Sequence, residues 1–312
     1  MPVHHEHEFE LYHYGESISA QMPMVALIEK QIPFKLHEIT LESTGEHLTK
    51  DYRNINPKAL VPVLVHNGEP IYDTWTIIKY LDDYAPDRGA RLWPMDAESR
   101  EQIGEWMREF GLDESIKLGE NFGSCIALSS TYLLAYILKT RPISAVIWDY
   151  LTKHPDRVRK FVFVALRLMP EPPKALYSTA IKGIAKGLVS IEQQLFDGRD
   201  YLLGDYSAAD VMLTAHLHRI EDVALDSIFR TDELKRTNAY WERIKARPRY
   251  DEGILKFEKE DWRNAIAAVY GEKPNPHLPA LLDEIKRLLS DENNSVAYQK
   301  EYNAEERVYA AE

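Results

Sequence analysis

The sequence predicts a two-domain protein, with a small α/β domain first and a larger all-helical domain after it. Three observations carry this. Over residues 9–81 the hydrophobic pattern switches repeatedly between strand-like alternation and helical spacing. Ala85-Pro86-Asp87-Arg88-Gly89 is then dense in helix and strand breakers. From Asp96 onward no β-prone run appears, while helical periodicity recurs. At 312 residues the chain is long enough to bury two cores.

The elements follow in order. Residues 9–14 alternate and read as a first strand. Residues 17–30 place Met24, Leu27 and Ile28 at helical spacing, with Pro23 taken as early enough that its missing N–H does no harm. Residues 33–40 alternate again as a second strand, and residues 46–54 suit a short helix. Asn56-Pro57-Lys58-Ala59-Leu60-Val61-Pro62-Val63-Leu64-Val65 leads into a third strand. A tight turn, a fourth strand ending at Ile71-Tyr72, and a helix opened by Asp73-Thr74 complete the set. The order β-α-β-α-β-β-α is that of a thioredoxin-like domain, assigned to residues 8–85, with a linker over 86–95.

The all-helical domain spans residues 96–262, with helices over 98–136, 175–196, 208–225 and 238–247. Ser207 and Asp210 have the spacing of a capping box and are read as structural. Residues 127–173 form an insertion ending in Pro170-Glu171-Pro172-Pro173, and residues 263–312 form a C-terminal extension. Within that extension residues 278–289 make an amphipathic helix, and the acidic end beyond Asp291 is expected to be mobile.

Composition narrows the function classes. A formal net charge of −12 argues against nucleic acid, which demands a concentrated basic face. Cys125 is the sole cysteine, so no intrachain disulfide is possible and a reducing compartment is expected. The apolar windows at 132–148 and 161–169 are interrupted or too short to span a bilayer. The expectation is a cytoplasmic protein with no membrane partner and no metal. His4, His5 and His7 are read as part of a polar tail.

The chemistry concentrates around Pro62 and Asp73. A proline at the start of a strand cannot donate to the ladder, so it belongs at an edge, a bulge or a cis turn. A cis turn leaves the Val61 backbone able to pair with an extended peptide. Asp73 and Thr74 begin the next helix, where free N–H groups and the dipole favour a carboxylate. Together these parts suit a small peptide with a negative end. An edge proline followed by an ordinary helix cap explains the same residues.

The block resembles the glutathione-binding half of the glutathione S-transferase superfamily, whose pattern is Asn-Pro-x-Gly-x-Val-Pro followed by a Glu/Asp-Ser pair. Here Ala59 replaces the glycine and Thr74 the serine. The resemblance implies the glutathione transferase fold and glutathione as co-substrate, held by Lys58, Val61, Pro62, Asp73 and Thr74. It places Ser17 on the catalytic serine of theta- and delta-like members. Ser19 falls where zeta-like isomerases and tetrachlorohydroquinone dehalogenases carry a reactive cysteine, which this chain lacks. A thiol needs help to ionise near neutral pH, and a hydroxyl or helix N-terminus aimed at the sulfur supplies it. Ser17 does this or serves as a plain N-cap, and Tyr14 is an alternative donor.

Asp73-Thr74-Trp75, Tyr80-Leu81-Asp82, Pro86-Asp87-Arg88 and Phe257-Glu258-Lys259 are similar to runs in bacterial β-aryl ether-cleaving transferases. That likeness implies attack by the glutathione sulfur on a hydrophobic, aromatic ether. The substrate pocket is expected between the domains, lined by Tyr14, by Trp106 and Phe110 of the first long helix, and by parts of the insertion. The insertion caps this pocket or serves as extra packing or a dimer contact. A homodimer or heterodimer is the superfamily expectation. The alternatives are a glutathione-dependent dehalogenase and a catalytically weak subunit that acts as a binding or heterodimer partner.

Overall fold

The computed structural model describes residues 2–112, 116–271 and 273–291, so the end beyond Asp291 lies outside the described residues. A four-stranded sheet, its second strand at one edge followed by the first, third and fourth, organises the first domain. β1 (Phe9–His13) is buried at every position because it is paired on both sides, parallel to β2 (Lys35–Glu38) and antiparallel to β3 (Val63–His66). β4 (Glu69–Tyr72) returns from β3 through Asn67-Gly68, both at positive φ, as a two-residue hairpin requires. α1 (Ile18–Glu29), α2 (Lys50–Ile55) and α3 (Thr74–Tyr84) complete the expected order. The short helix expected over 46–54 is split at Thr49. A 3-10 turn (Glu46–Leu48) precedes it, and its side chain caps α2 by accepting from the Tyr52 N–H at 3.3 Å.

Pro23 corrects the sequence reading. It is the sixth residue of α1, so it removes the N–H that would reach the Ser19 carbonyl one turn back. The Thr74 hydroxyl fills that vacancy, donating to the Ser19 carbonyl at 3.0 Å. One bond thus ties the start of α3 to the first turn of α1.

The remainder is helical: α4 (Ala97–Phe110), α5 (Phe122–Ser129), α6 (Thr131–Thr140), α7 (Ile143–Trp148), α8 (Arg157–Leu168), α9 (Lys174–Gln194) and α10 (Ala208–Asp222). α11 (Lys235–Lys245), α12 (Pro248–Gly253), α13 (Glu260–Val269) and α14 (Leu278–Ser290) follow. Residues 98–136 do not form one helix. Asn121 starts a new one, its side chain accepting from the Ser124 N–H at 2.9 Å in a capping box, and local cap chemistry overrides the continuous apolar period. The capping box at Ser207 and Asp210 is present as expected, and the Asp210 carboxylate also accepts from Tyr240 Oη at 2.9 Å.

Buried polar contacts fix the first domain to the linker and to the helical domain. Lys30 and Asp82, both wholly buried, pair at 2.9 Å, and Asp82 also accepts the Leu92 and Trp93 N–H groups of the linker. Arg247 pairs with Glu29 at 2.8 Å and stacks 3.8 Å from the Tyr206 ring centre. The insertion packs back on the first domain: Leu48 and Ala59 share a buried cluster with Leu138, Val146, Tyr150 and Leu166. Ala59 sits at φ +56, the backbone region that explains the usual glycine, and its methyl group contributes to that cluster.

Candidate active site

The turn between β1 and α1 is met by two segments distant in sequence, the α5–α6 junction and the stretch 254–262 that runs from the end of α12 into the first turn of α13. Ser17 occupies the N-cap position of α1 in extended geometry, yet its hydroxyl makes no capping bond. It is half-buried, and its carbonyl accepts from the Ala20 and Gln21 N–H groups. The Oγ is therefore uncommitted at a helix N-terminus, where the dipole favours an anion. Ser19 is also half-buried, and its carbonyl is the one that Thr74 satisfies.

Tyr14 is buried and its hydroxyl has no hydrogen-bond partner. Burial raises its pKa well above the ordinary phenol value, with Glu42, Asp261 and Glu16 adding to the effect, so it remains a proton donor. Glu16 is buried as well. Its Oε1 accepts the Lys259 N–H at 2.6 Å, while Oε2 has no partner. Burial first, and then the nearby Asp222, push the Glu16 carboxyl up to about 8. Burial likewise lifts Glu42 to about 7. Two carboxyl groups beside the turn thus carry protons near neutral pH.

Arg219 of α10 gathers these parts. It donates to the Glu16 carbonyl, to Ser130 Oγ at 2.9 Å and to Asp222 at 3.0 Å. Its guanidinium stacks 4.4 Å from the ring centre of Trp262. The Thr131 hydroxyl and the Trp262 indole N–H nearby are buried without partners. Gly15 is needed because a Cβ there would collide with the Phe257 carbonyl, so residues 254–262 strap directly over the turn. Among the described residues, no group of three or more His, Cys, Asp or Glu side chains converges as metal donors.

The loop before Pro62 is shaped by Asn56. Its Oδ1 accepts the Lys58 N–H at 3.0 Å, its Nδ2 donates to the Leu60 carbonyl at 2.7 Å, and its own carbonyl accepts the Ala59 N–H at 2.9 Å. These three bonds shape the loop leading to Val61 and Pro62. The Val61–Pro62 peptide is cis, which selects one of the three placements open to that proline. β3 is flanked by β1 and β4, so Pro62 does not lie on an edge strand, and Val61 precedes the first ladder pair. The Val61 side chain packs with Tyr14, Ala20 and Tyr52.

Asp73 sits at φ 71 and turns its carboxylate onto its own helix, accepting the Trp75 and Thr76 N–H groups at 3.0 Å each. The Thr74 hydroxyl proton is likewise engaged within the protein. With the Trp75 and Thr76 N–H groups taken by Asp73, the start of α3 has fewer free donors for an anion than the sequence suggested. Trp106 is partly buried against Phe110, with ring centres 4.4 Å apart. Phe110 itself is enclosed between Trp106 and Phe122 in the helical core, so packing rather than pocket lining accounts for it.

Sequence reasoning passed over Glu16, Glu42, Arg219 and Trp262. The one available signal was an arginine within the most uniformly buried helix, since a buried guanidinium must have partners.

A family profile described as "Glutathione S-transferase, N-terminal domain" matches residues 17–83. The chain is 26% identical over 270 residues to "Glutathione S-transferase TCHQD" of Arabidopsis thaliana, covering 83% of this chain and 94% of that one. It is 24% identical over 263 residues to "Protein LigF" of a Sphingobium species, covering 81% and 95%. The fold matches the crystal structure of β-etherase LigF from Sphingobium sp. strain SYK-6 with a TM-score of 0.69, at 22% identity over 80% of this chain and all of the other. It also matches a theta class glutathione S-transferase from Xanthomonas axonopodis pv. citri with glutathione bound, at a TM-score of 0.53 and 16% identity, over 82% and 98%. Residues 17–83 thus match a glutathione S-transferase N-terminal domain, and the chain as a whole is similar along most of its length to glutathione S-transferase relatives and shares the fold of their solved structures.

Proposed function

We propose that this protein is a glutathione-dependent transferase or lyase in which the glutathione thiolate attacks an aromatic ether, as in β-aryl ether cleavage. The observation that carries the reading is the Ser17 hydroxyl, free of any capping bond at the α1 N-terminus and joined to the start of α3 through the Thr74–Ser19 contact. Similarity to a protein described as a β-etherase supports the ether over other electrophiles.

Glutathione lies extended along Val61 and Pro62 beside Lys58, with a carboxylate at the Asp73-Thr74 end of α3 and its sulfur toward Ser17. The Ser17 hydroxyl and the α1 N-terminus stabilise the thiolate, with Ser19 on the same turn. The sulfur forms a bond to the ether carbon, the carbon–oxygen bond breaks, and the phenolate departs with the electron pair. The neutral Glu16 is the acid at the turn that returns a proton to that oxygen, while the Tyr14 hydroxyl, kept protonated by burial, donates a hydrogen bond to it. The strap over Gly15 keeps water from the sulfur. A cytoplasmic dimer completes the proposal.

Mass spectrometry of glutathione adducts from a panel of aryl ethers and aryl halides tests it. Ser17→Ala is expected to lower kcat by roughly 100-fold while glutathione affinity by calorimetry is kept. No adduct from any ether in the panel would refute the etherase assignment. Adducts from halides alone would redirect it to dehalogenation.

A further inference from the structure

The insertion has an outer face that the active site does not use. Nine of the fourteen exposed large apolar side chains among the described residues fall within residues 136–176, so the exposure is concentrated there. α8 shows why. Val162 and Leu166 face inward against the cluster around Tyr150, while Val158, Phe161 and Leu168 form a second stripe at helical spacing on the outside. These three are 66%, 59% and 55% exposed. α7 packs beside α8 and adds Trp148, 63% exposed, and Ile143.

Charge sets this segment apart as well. Residues 136–176 carry eight lysines and arginines against three acids, a balance of +5 within a chain of −12, which leaves −17 on the rest. Arg157, Arg159 and Lys160 flank the exposed Val158 and Phe161. An isologous pairing through this face would set two positive segments against each other. Exposed Trp, Phe and Leu bordered by arginine and lysine are the composition of a helix that lies in a lipid–water interface. At 12 residues α8 is about 18 Å long, suited to lying on a bilayer and too short to cross one.

We propose that the α7–α8 face is a docking surface for an anionic lipid bilayer, on which the enzyme rests peripherally. This revises the expectation of no membrane partner, which rested on the want of a spanning segment. It also places the protein where apolar electrophiles partition.

The test is co-sedimentation of the full chain with phosphatidylcholine vesicles, with and without phosphatidylglycerol, together with tryptophan emission. Preference for the anionic vesicles by roughly tenfold, lost at high salt, is expected. The Val158→Glu, Phe161→Glu double variant is expected to abolish sedimentation while keeping native circular dichroism. Should that pair fail to fold, Arg157→Glu on the exposed rim is expected to weaken binding severalfold. Equal partitioning onto neutral and anionic vesicles, or no partitioning, would overturn the proposal. So would an oligomer that shields Trp148 and dissociates in the double variant, because the face would then be a contact between copies.

Discussion

The Thr74 hydroxyl is in the position of a ligand-binding residue, yet the structure has it donate to the Ser19 carbonyl that Pro23 leaves without a partner. Thr74→Val keeps the shape of a buried side chain and removes only that donor. An unsatisfied buried carbonyl costs about 1–3 kcal/mol, so the variant should lose that much stability. Pro23→Ala restores an N–H one turn beyond Ser19, and in that background Thr74→Val should cost less than about 1 kcal/mol. The coupling between the two positions is then about 1–2 kcal/mol, read from urea midpoints of the four proteins. Glutathione affinity should change by no more than about threefold in Thr74→Val, because the Thr74 N–H remains in place. An equal cost of Thr74→Val in both backgrounds would refute the pairing. A collapse of glutathione affinity at unchanged stability would show that the hydroxyl faces the ligand instead.

Three further outcomes follow from the buried charges and the motif loop. Glu16 titrates in the folded state at about 8 against 4.5 when free, so its stabilisation is complete below pH 4.5 and is lost as pH rises toward 8. Glu16→Gln should remove on the order of 4 kcal/mol of that decline, and parallel denaturation curves for variant and parent between pH 5 and 8 would contradict it. Lys30→Met leaves Asp82 buried without its closest cation and should cost about 3 kcal/mol by chemical denaturation, the nearby Arg91 offering partial relief; a cost below about 1 kcal/mol would rule out the pair as an anchor. Ala59→Gly relieves about 1 kcal/mol of left-handed backbone strain but forfeits a similar amount of methyl packing and chain entropy, so a thermal midpoint within about 2 °C of the parent is expected.

Local chemistry was legible in the sequence and long-range closure was not. Asn56, Pro57 and Pro62 stand within a few residues of what they organise, so their spacing alone announces the loop. Asp73 likewise announces a helix start, although nothing local shows that its carboxylate turns back on its own N–H groups. The segment 98–136 misled because apolar period is blind to a break that Asn121 and Ser124 impose through two side-chain bonds. Phe110 fits an apolar helical stripe equally well facing a cleft or a neighbouring ring, and only the placement of Phe122 decides. Glu16 reads as an ordinary charge near a helix start until Lys259 and Arg219, more than two hundred residues later, are brought beside it.

The strap at Phe257 has a bearing on how the protein comes into being. Translation delivers the thioredoxin-like half before the covering segment, so a nascent chain can complete its sheet while the turn at Gly15 still stands open to water. The turn is therefore covered only once residues 254–262 have left the ribosome and closed on Gly15, and a chain cut short before Phe257 would leave that turn open.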